Sequence, residues 1–197
     1  CCGDAAKSLG YRHYFYDLVE NAVQVFDRSG VKRVVTTSPH CYDIFRNHAP
    51  RPHSDFAVEH YTQFLARCIR EGRLRFSHEV QLRAAFHDPC FLGRRNGEYE
   101  APRAVLDAIP GLERLEMPHH RQDALCCGGG GGRMWQETPV NERFARLRVR
   151  EAVEAGAQVL VTACPFCIVC LEESVKAEGV GELRVMDVAE LAAMALE

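Results

Sequence analysis

Five cysteines in three places constrain this chain more than any other feature. Cys90 is followed, after 35 residues, by the adjacent pair Cys126-Cys127 and then Gly128. A further 35 residues lead to Cys164-Pro165-Phe166-Cys167, so the pattern reads C-x35-CC-G-x35-C-x2-C. Two adjacent cysteines are a poor disulfide framework and a good pair of iron or zinc ligands. Thiols so far apart meet only if separate loops converge on one point, which is what a polynuclear metal site requires. Thiolate is the usual ligand of iron–sulfur clusters, and the flanking loops tune the bound group.

Composition narrows the alternatives. The 197 residues can bury one sizeable core or two small ones. An apolar content of 47% with 26% charged residues reads as soluble and globular. The net charge of −3, with no long basic run, argues against a nucleic-acid partner. No apolar run approaches the roughly 20 residues of a membrane span. Ten cysteines would suit a small disulfide-rich secreted domain. Here they cluster at metal-like spacing in a long chain with helical periodicity, which favours metal binding in a reducing, cytoplasmic compartment. Any membrane association is expected through a partner subunit.

Periodicity predicts alternating helices and strands. Phe15, Leu18, Val19, Ala22, Val23 and Phe26 form one stripe of a helix over 11–29, with Gly30 where a C-terminal cap belongs. A β-branched strand over 31–37 delivers Ser38-Pro39-His40-Cys41, where a second helix starts. A loop over 48–54 carries Pro50 and Pro52, followed by a strand over 56–59 and a helix over 61–71. Cys68 lies on that helix's inward stripe and reads as a small core residue. Further strands are expected over 82–86, 112–117, 158–162 and 183–186. Pro102 marks one helix start, and a second helix runs from Thr138-Pro139 to Ala155, with Thr138 as N-cap. A third covers 165–178, and Asp187 with Glu190 opens the last. This alternation argues for an α/β fold with mostly parallel short sheets and cysteine loops at the strands' carboxyl ends.

The chain also repeats itself. Gly30 precedes Ser38 by eight residues, and Gly156 precedes Cys164 by eight. Cys1-Cys2-Gly3 matches Cys126-Cys127-Gly128, and Ser38-Pro39-His40-Cys41 matches Cys164-Pro165-Phe166-Cys167. Two similar α/β units are therefore expected. The first copy lacks a counterpart of Cys90, which the repeat would put about 36 residues upstream of Cys1. With Cys1 rather than Met at its start, the chain is expected to be a fragment.

Together with His87-Asp88-Pro89-Cys90, Gly93-Arg94-Arg95-Asn96-Gly97 and Ala101-Pro102-Arg103, the cysteine motifs resemble the CCG, or cysteine-rich, domain of heterodisulfide reductase B and D subunits and their bacterial relatives. The resemblance covers nearly all 197 residues. It implies that 1–80 is the C-terminal part of a first CCG domain and 81–197 a complete second one. It further implies that Cys90, Cys126, Cys127, Cys164 and Cys167 hold a non-cubane [4Fe-4S] cluster. Cys1, Cys2 and Cys41 are candidate metal ligands of a first site, for a second cluster or zinc. Ser38 stands there where the family has cysteine, and a hydroxyl is a harder, less acidic ligand than a thiol.

Other features keep two readings each. The run Gly128 to Gly132 lets backbone approach a sulfide or thiolate, or is a flexible loop; no Lys-Ser or Lys-Thr follows it as in a phosphate loop. Cys170 extends Cys164 and Cys167 toward a ferredoxin-like run but reads as packing. His87 and His40 could give a proton to a leaving thiolate or support the cysteine loops by hydrogen bonds. Arg94, Arg95 and Arg133 could hold an acidic substrate or form a solvated face. No nucleophile-elbow motif of a hydrolase is present.

The function the resemblance implies is an iron–sulfur oxidoreductase subunit. It would pass electrons from a flavin- or ferredoxin-type redox subunit to a disulfide or a quinone-linked acceptor. The alternatives are a pure electron-transfer module of a multi-subunit dehydrogenase, or a zinc-binding structural domain.

Overall fold

The β-branched pair Val34-Val35 opens a parallel ladder, and the same construction returns in the second half of the chain. A computed structural model describes residues 1–49 and 56–196. The first unit runs α1 (Asp4–Ser8), α2 (Arg12–Arg28), β1 (Arg33–Thr36), α3 (Pro39–Asn47), β2 (Ala57–His60) and α4 (Tyr61–Arg70). The second runs β3 (Arg83–His87), α5 (Glu100–Asp107), β4 (Glu113–Leu115), α6 (Ala145–Glu154), β5 (Val159–Thr162), α7 (Pro165–Glu178), β6 (Arg184–Asp187) and α8 (Val188–Met194). Among the described residues β1 pairs with β2, and a second sheet has the order β4-β3-β5-β6, with every pair parallel.

The two units match in detail. Thr36 lies opposite His60 and Thr162 opposite Asp187. His60 and Asp187 each then N-cap the next helix through a capping box. Ser38 and Cys164 are the N-caps of α3 and α7, each followed by proline at the first helical position. Gly3 and Gly128 both take the left-handed conformation, at φ 80° and 82°. In that conformation their N–H groups turn back onto the sulfurs of Cys1 and Cys126, at 3.4 and 3.3 Å.

One core joins the units. Tyr42 and Tyr61 from the first pack with Phe86, Leu92, Leu106, Val161 and Leu191 from the second. A leucine or phenylalanine so buried contributes about 1.5–3 kcal/mol. On α2 the predicted stripe holds, with Phe15, Val19 and Val23 buried and Leu18, Ala22 and Phe26 packed beside them. No helix among the described residues is long and apolar enough to cross a membrane.

The helix expected from Thr138 does not start there. Pro139 is extended at ψ 139°, a 3₁₀ turn covers Val140–Glu142, and α6 begins at Ala145. The Thr138 carbonyl instead accepts from Arg143 Nε at 3.1 Å, and the guanidinium reaches Glu173 on α7. This tertiary tie outweighs the local cap. Helix α1 was not anticipated, since five residues carry too little periodicity to read. Of the loop expected over 48–54, positions 50–54 lie outside the described residues.

Candidate metal centre

Three chain segments bring the five cysteines together. β3 ends at His87, and Cys90 follows in the turn after it; β5 ends at Thr162, and Cys164 follows as the N-cap of α7. Thr162 Oγ1 donates to the His87 carbonyl at 3.2 Å, tying the two strand ends together. A buried ion pair holds the first turn. Arg103 on α5 donates to both oxygens of Asp88, at 2.7 and 2.8 Å, with each side chain 3% exposed. The Arg121 N–H adds a third bond to Asp88 at 2.7 Å. Burial opposes the Asp88 charge, but these donors hold its carboxyl below the usual range.

The sulfurs form a continuous chain of contacts from Cys90 to Cys126, Cys127, Cys167 and Cys164. Cys127, Cys164 and Cys167 are buried, Cys90 and Cys126 half-buried, and all ten cysteines are free. Contact with Cys126, and then with Cys167, Cys170 and His87, pulls the Cys127 thiol down against the effect of burial. Hydrogen bonding from Cys126 brings Cys90 down to about 7 against the effect of burial. Contact with Cys167 brings Cys164 to about 6, burial opposing and His40 assisting. Cys126 and Cys167 are pushed up as Cys90, Cys127 and Cys164 come down, so thiols that lose a proton readily alternate with thiols that keep it, a sulfur-rich group suited to a soft metal.

Cys170 is brought in as well. Its sulfur touches Cys127 and sits 2.7 Å from where a β-carbon on Gly129 would stand. The packing role read for it therefore acts on the site itself, and the C-x2-C-x2-C run was the sequence signal. Glycine at 129 is the residue that lets this loop close onto α7. Cys127, Cys170, Ser174, Arg133, Trp135 and Phe144 are among the residues lining a 240 Å³ cavity. Cys68 is buried on α4, outside this thiol group.

The first unit contributes a wall and a second thiol group. His40, from α3, lies 3.8 Å from the Phe91 ring in a stack and 4.5 Å from Phe166 edge-on. Its Nδ1 meets Asp4 Oδ2 at 2.8 Å, and its ring also contacts Cys164. Burial works against the charged ring, but Asp4 and Cys164 raise His40 to about 9. Arg95 caps the other face of Phe91 at 4.1 Å, and Asn96 holds the Phe91 carbonyl at 2.7 Å. Arg94 is exposed. Cys41 Sγ lies 3.0 Å from Cys2 Sγ, while Cys1 is exposed and receives the Gly3 N–H. Ser38 Oγ caps α3, accepting from the His40 N–H at 3.3 Å.

Two residues beside the site were missed. Asp4 sits in the unread helix α1. Arg148 is 0% exposed, yet it occupies the apolar stripe Ala145, Arg148, Val149 and Ala152 of α6. A charge at the i+3 position of such a stripe was the available signal.

The family model CCG, a cysteine-rich domain, matches residues 1–46 and 84–172, one segment in each unit. The probable iron–sulfur-binding oxidoreductase FadF of Bacillus subtilis is 36% identical over 195 residues, covering 98% of this chain and 28% of that protein. The EtfAB:quinone oxidoreductase of Syntrophomonas wolfei is 36% identical over 205 residues, covering 100% of this chain and 29% of that protein. The D-type component of the dihydromethanophenazine:CoB–CoM heterodisulfide reductase of Methanosarcina barkeri is 33% identical over 202 residues, covering 100% of this chain and 49% of that protein. This chain thus spans less than half the length of each of these relatives. With a family segment on each of its paired CC-G turns, the chain belongs to the CCG cysteine-rich domain family.

Proposed function

We propose that this chain carries the electron-transfer centre of an iron–sulfur oxidoreductase, with Cys90, Cys126, Cys127, Cys164 and Cys167 holding one cluster. The observation that carries the reading is the unbroken run of sulfur contacts through these five thiols, drawn from three segments. Five thiols exceed what a four-coordinate zinc or an ordinary cubane takes, which favours the non-cubane [4Fe-4S] group implied by the resemblance. His87 adds a ring nitrogen, buried and without a hydrogen-bond partner among the described residues, to the same space. The relatives named as an iron–sulfur-binding oxidoreductase and as a heterodisulfide reductase component support iron and sulfide over zinc.

When bound, such a group supplies one-electron steps to an acceptor that needs two. The chain's residues position it: Asp88 and Arg103 fix the Cys90 turn, and Gly129 lets the CC-G loop meet α7. Electrons would come from a flavin- or ferredoxin-type partner and leave to a disulfide or a quinone-linked acceptor. Residues 1–80 and 81–197 are read as the two domains. The first site keeps Cys1, Cys2 and Cys41, with Ser38 occupied in capping α3. That occupation favours a second reading, in which only the second unit carries a cluster and the chain is a pure electron-transfer module.

Reoxidation experiments separate the readings. The anaerobically prepared full-length protein would be reduced with a dye and mixed with a low-molecular-weight disulfide or a quinone analogue. Rapid reoxidation by one of them is expected for a terminal reductase. Reoxidation by neither, with reversible dye reduction retained, identifies the module. A chain that binds zinc and takes up no electrons would overturn both. Ser38→Cys is expected to raise iron per chain at the first site; unchanged iron would show that this site lacks more than one ligand.

A further inference from the structure

Behind the thiols lies a buried polar chain that the proposed function leaves unused. His87 closes β3 with 1% exposure. Its Nδ1 faces Arg148 Nε at 3.1 Å. A guanidinium only donates, so Nδ1 must be the acceptor and the ring proton must sit on Nε2. Nε2 has no hydrogen-bond partner among the described residues. The donor atoms of His87, Cys127 and Cys167 all lie within 4.8 Å of one another, so the ring stands against two of the five thiols. A metal-ligating Nε2 would need a bare lone pair, while Nδ1 is already committed as an acceptor. The tautomer therefore makes His87 an N–H donor toward sulfur and not a ligand.

Arg148 is held in place as firmly as the ring it orients. It is 0% exposed, contacts Glu151 through Nη1, and donates from the same nitrogen to the His119 carbonyl at 2.7 Å. Glu151 in turn contacts His119 Nδ1 near the surface. Nη2 of Arg148 is buried without a hydrogen-bond partner among the described residues. Burying a guanidinium next to a thiol cluster is costly unless negative charge accumulates nearby. The nearby groups that carry negative charge are Glu151 and Asp88.

We propose that Arg148 and His87 form the positive side of the metal centre, with Arg148 as a positioning residue that locks His87 as an Nε2–H donor to a sulfur, so that the pair sets the centre's reduction potential. This rests on the iron–sulfur reading given above. A donor to sulfur stabilises the more negative, reduced state, so its loss must lower the potential. His87→Asn keeps an acceptor for Arg148 and removes the distal N–H. His87→Gln can place an amide N–H near the lost donor. Arg148→Met removes the charge and frees the ring.

The test is a dye-mediated reductive titration followed by electron paramagnetic resonance, with iron and sulfide measured on each anaerobically prepared full-length protein. His87→Asn is expected to keep wild-type iron and sulfide while its midpoint shifts down, and His87→Gln to recover part of the shift. Arg148→Met should shift it down too, and combining it with His87→Asn should add less than the sum of the two. If Arg148→Met does not fold, the two His87 variants decide alone. Wild-type iron and sulfide with an unmoved midpoint in His87→Asn would overturn the inference and leave the iron–sulfur reading standing. Wild-type protein without iron and sulfide would overturn both.

Discussion

Replacing Arg103 with methionine should destabilise the chain by about 3–5 kcal/mol, the usual cost of leaving one buried charge without its partner. Both partners are 3% exposed, and the fork is bidentate at 2.7 and 2.8 Å. Arg103 also donates to Glu116 at 2.8 and 3.0 Å and to the Tyr99 carbonyl at 2.8 Å. Without it, Asp88 keeps only the Arg121 N–H, in surroundings that disfavour its charge. Glu116→Gln touches the same arginine from a side chain 31% exposed, so it should cost about 1 kcal/mol or less. Adding Asp88→Leu to Arg103→Met should recover part of the loss, because no unpaired charge then remains. Because Asp88 lies between His87 and Cys90, bound iron should fall along with stability. Urea unfolding of the anaerobic protein, with iron counted beside it, measures both. A loss under about 1 kcal/mol, or one equal to that of Glu116→Gln, would refute the role given to this pair.

Acid should weaken the first unit through His60, which is 0% exposed and pushed down to about 4 by burial, against the opposing effect of the Thr37 and Ala163 backbones. The folded chain then binds fewer protons than the unfolded chain between about pH 4 and 6.5, so this stability is present above pH 6.5 and lost as pH falls through that window. The loss between pH 7 and 5 is about 2 kcal/mol, and His60→Asn, which keeps an acceptor for the Thr62 N–H, should show a flatter urea midpoint over that range; equal slopes would contradict it. Gly129→Ala should cost about 1–3 kcal/mol and bound iron, because its methyl would stand 2.7 Å from Cys170 Sγ, and adding Cys170→Ala should relieve it. No relief in the double variant would place the strain elsewhere.

The sequence was most legible where local chemistry and tertiary position agree. The proline after Ser38 and Cys164, the glycines after the cysteine pairs and the acidic start of α8 each occupy the position their backbone chemistry demands. The repeated glycine spacing and cysteine motifs predict two similar units, and the matching pairs of Thr36 with His60 and Thr162 with Asp187 bear that out. What stayed hidden depends on contacts between distant segments. Arg146, Arg148 and Arg150 look alike in sequence, yet only Arg148 turns into the core, because α6 lays that face on β5 and α7. The start of α6 was misread because Arg143 is tied to Thr138 and Glu173, a link that no local pattern reports. In sequence His40 stands beside Cys41, but packing of the two units sets it against Phe91 and Phe166 of the second.

The most direct test of the central claim is the iron and acid-labile sulfide content of the anaerobically prepared full-length protein, beside its Cys127→Ala variant, with electron paramagnetic resonance on both. The account predicts about four iron and four sulfide for the second site, and a resonance lost in Cys127→Ala while the helical core remains folded. Zinc without sulfide, or iron and resonance unchanged in Cys127→Ala, would contradict it.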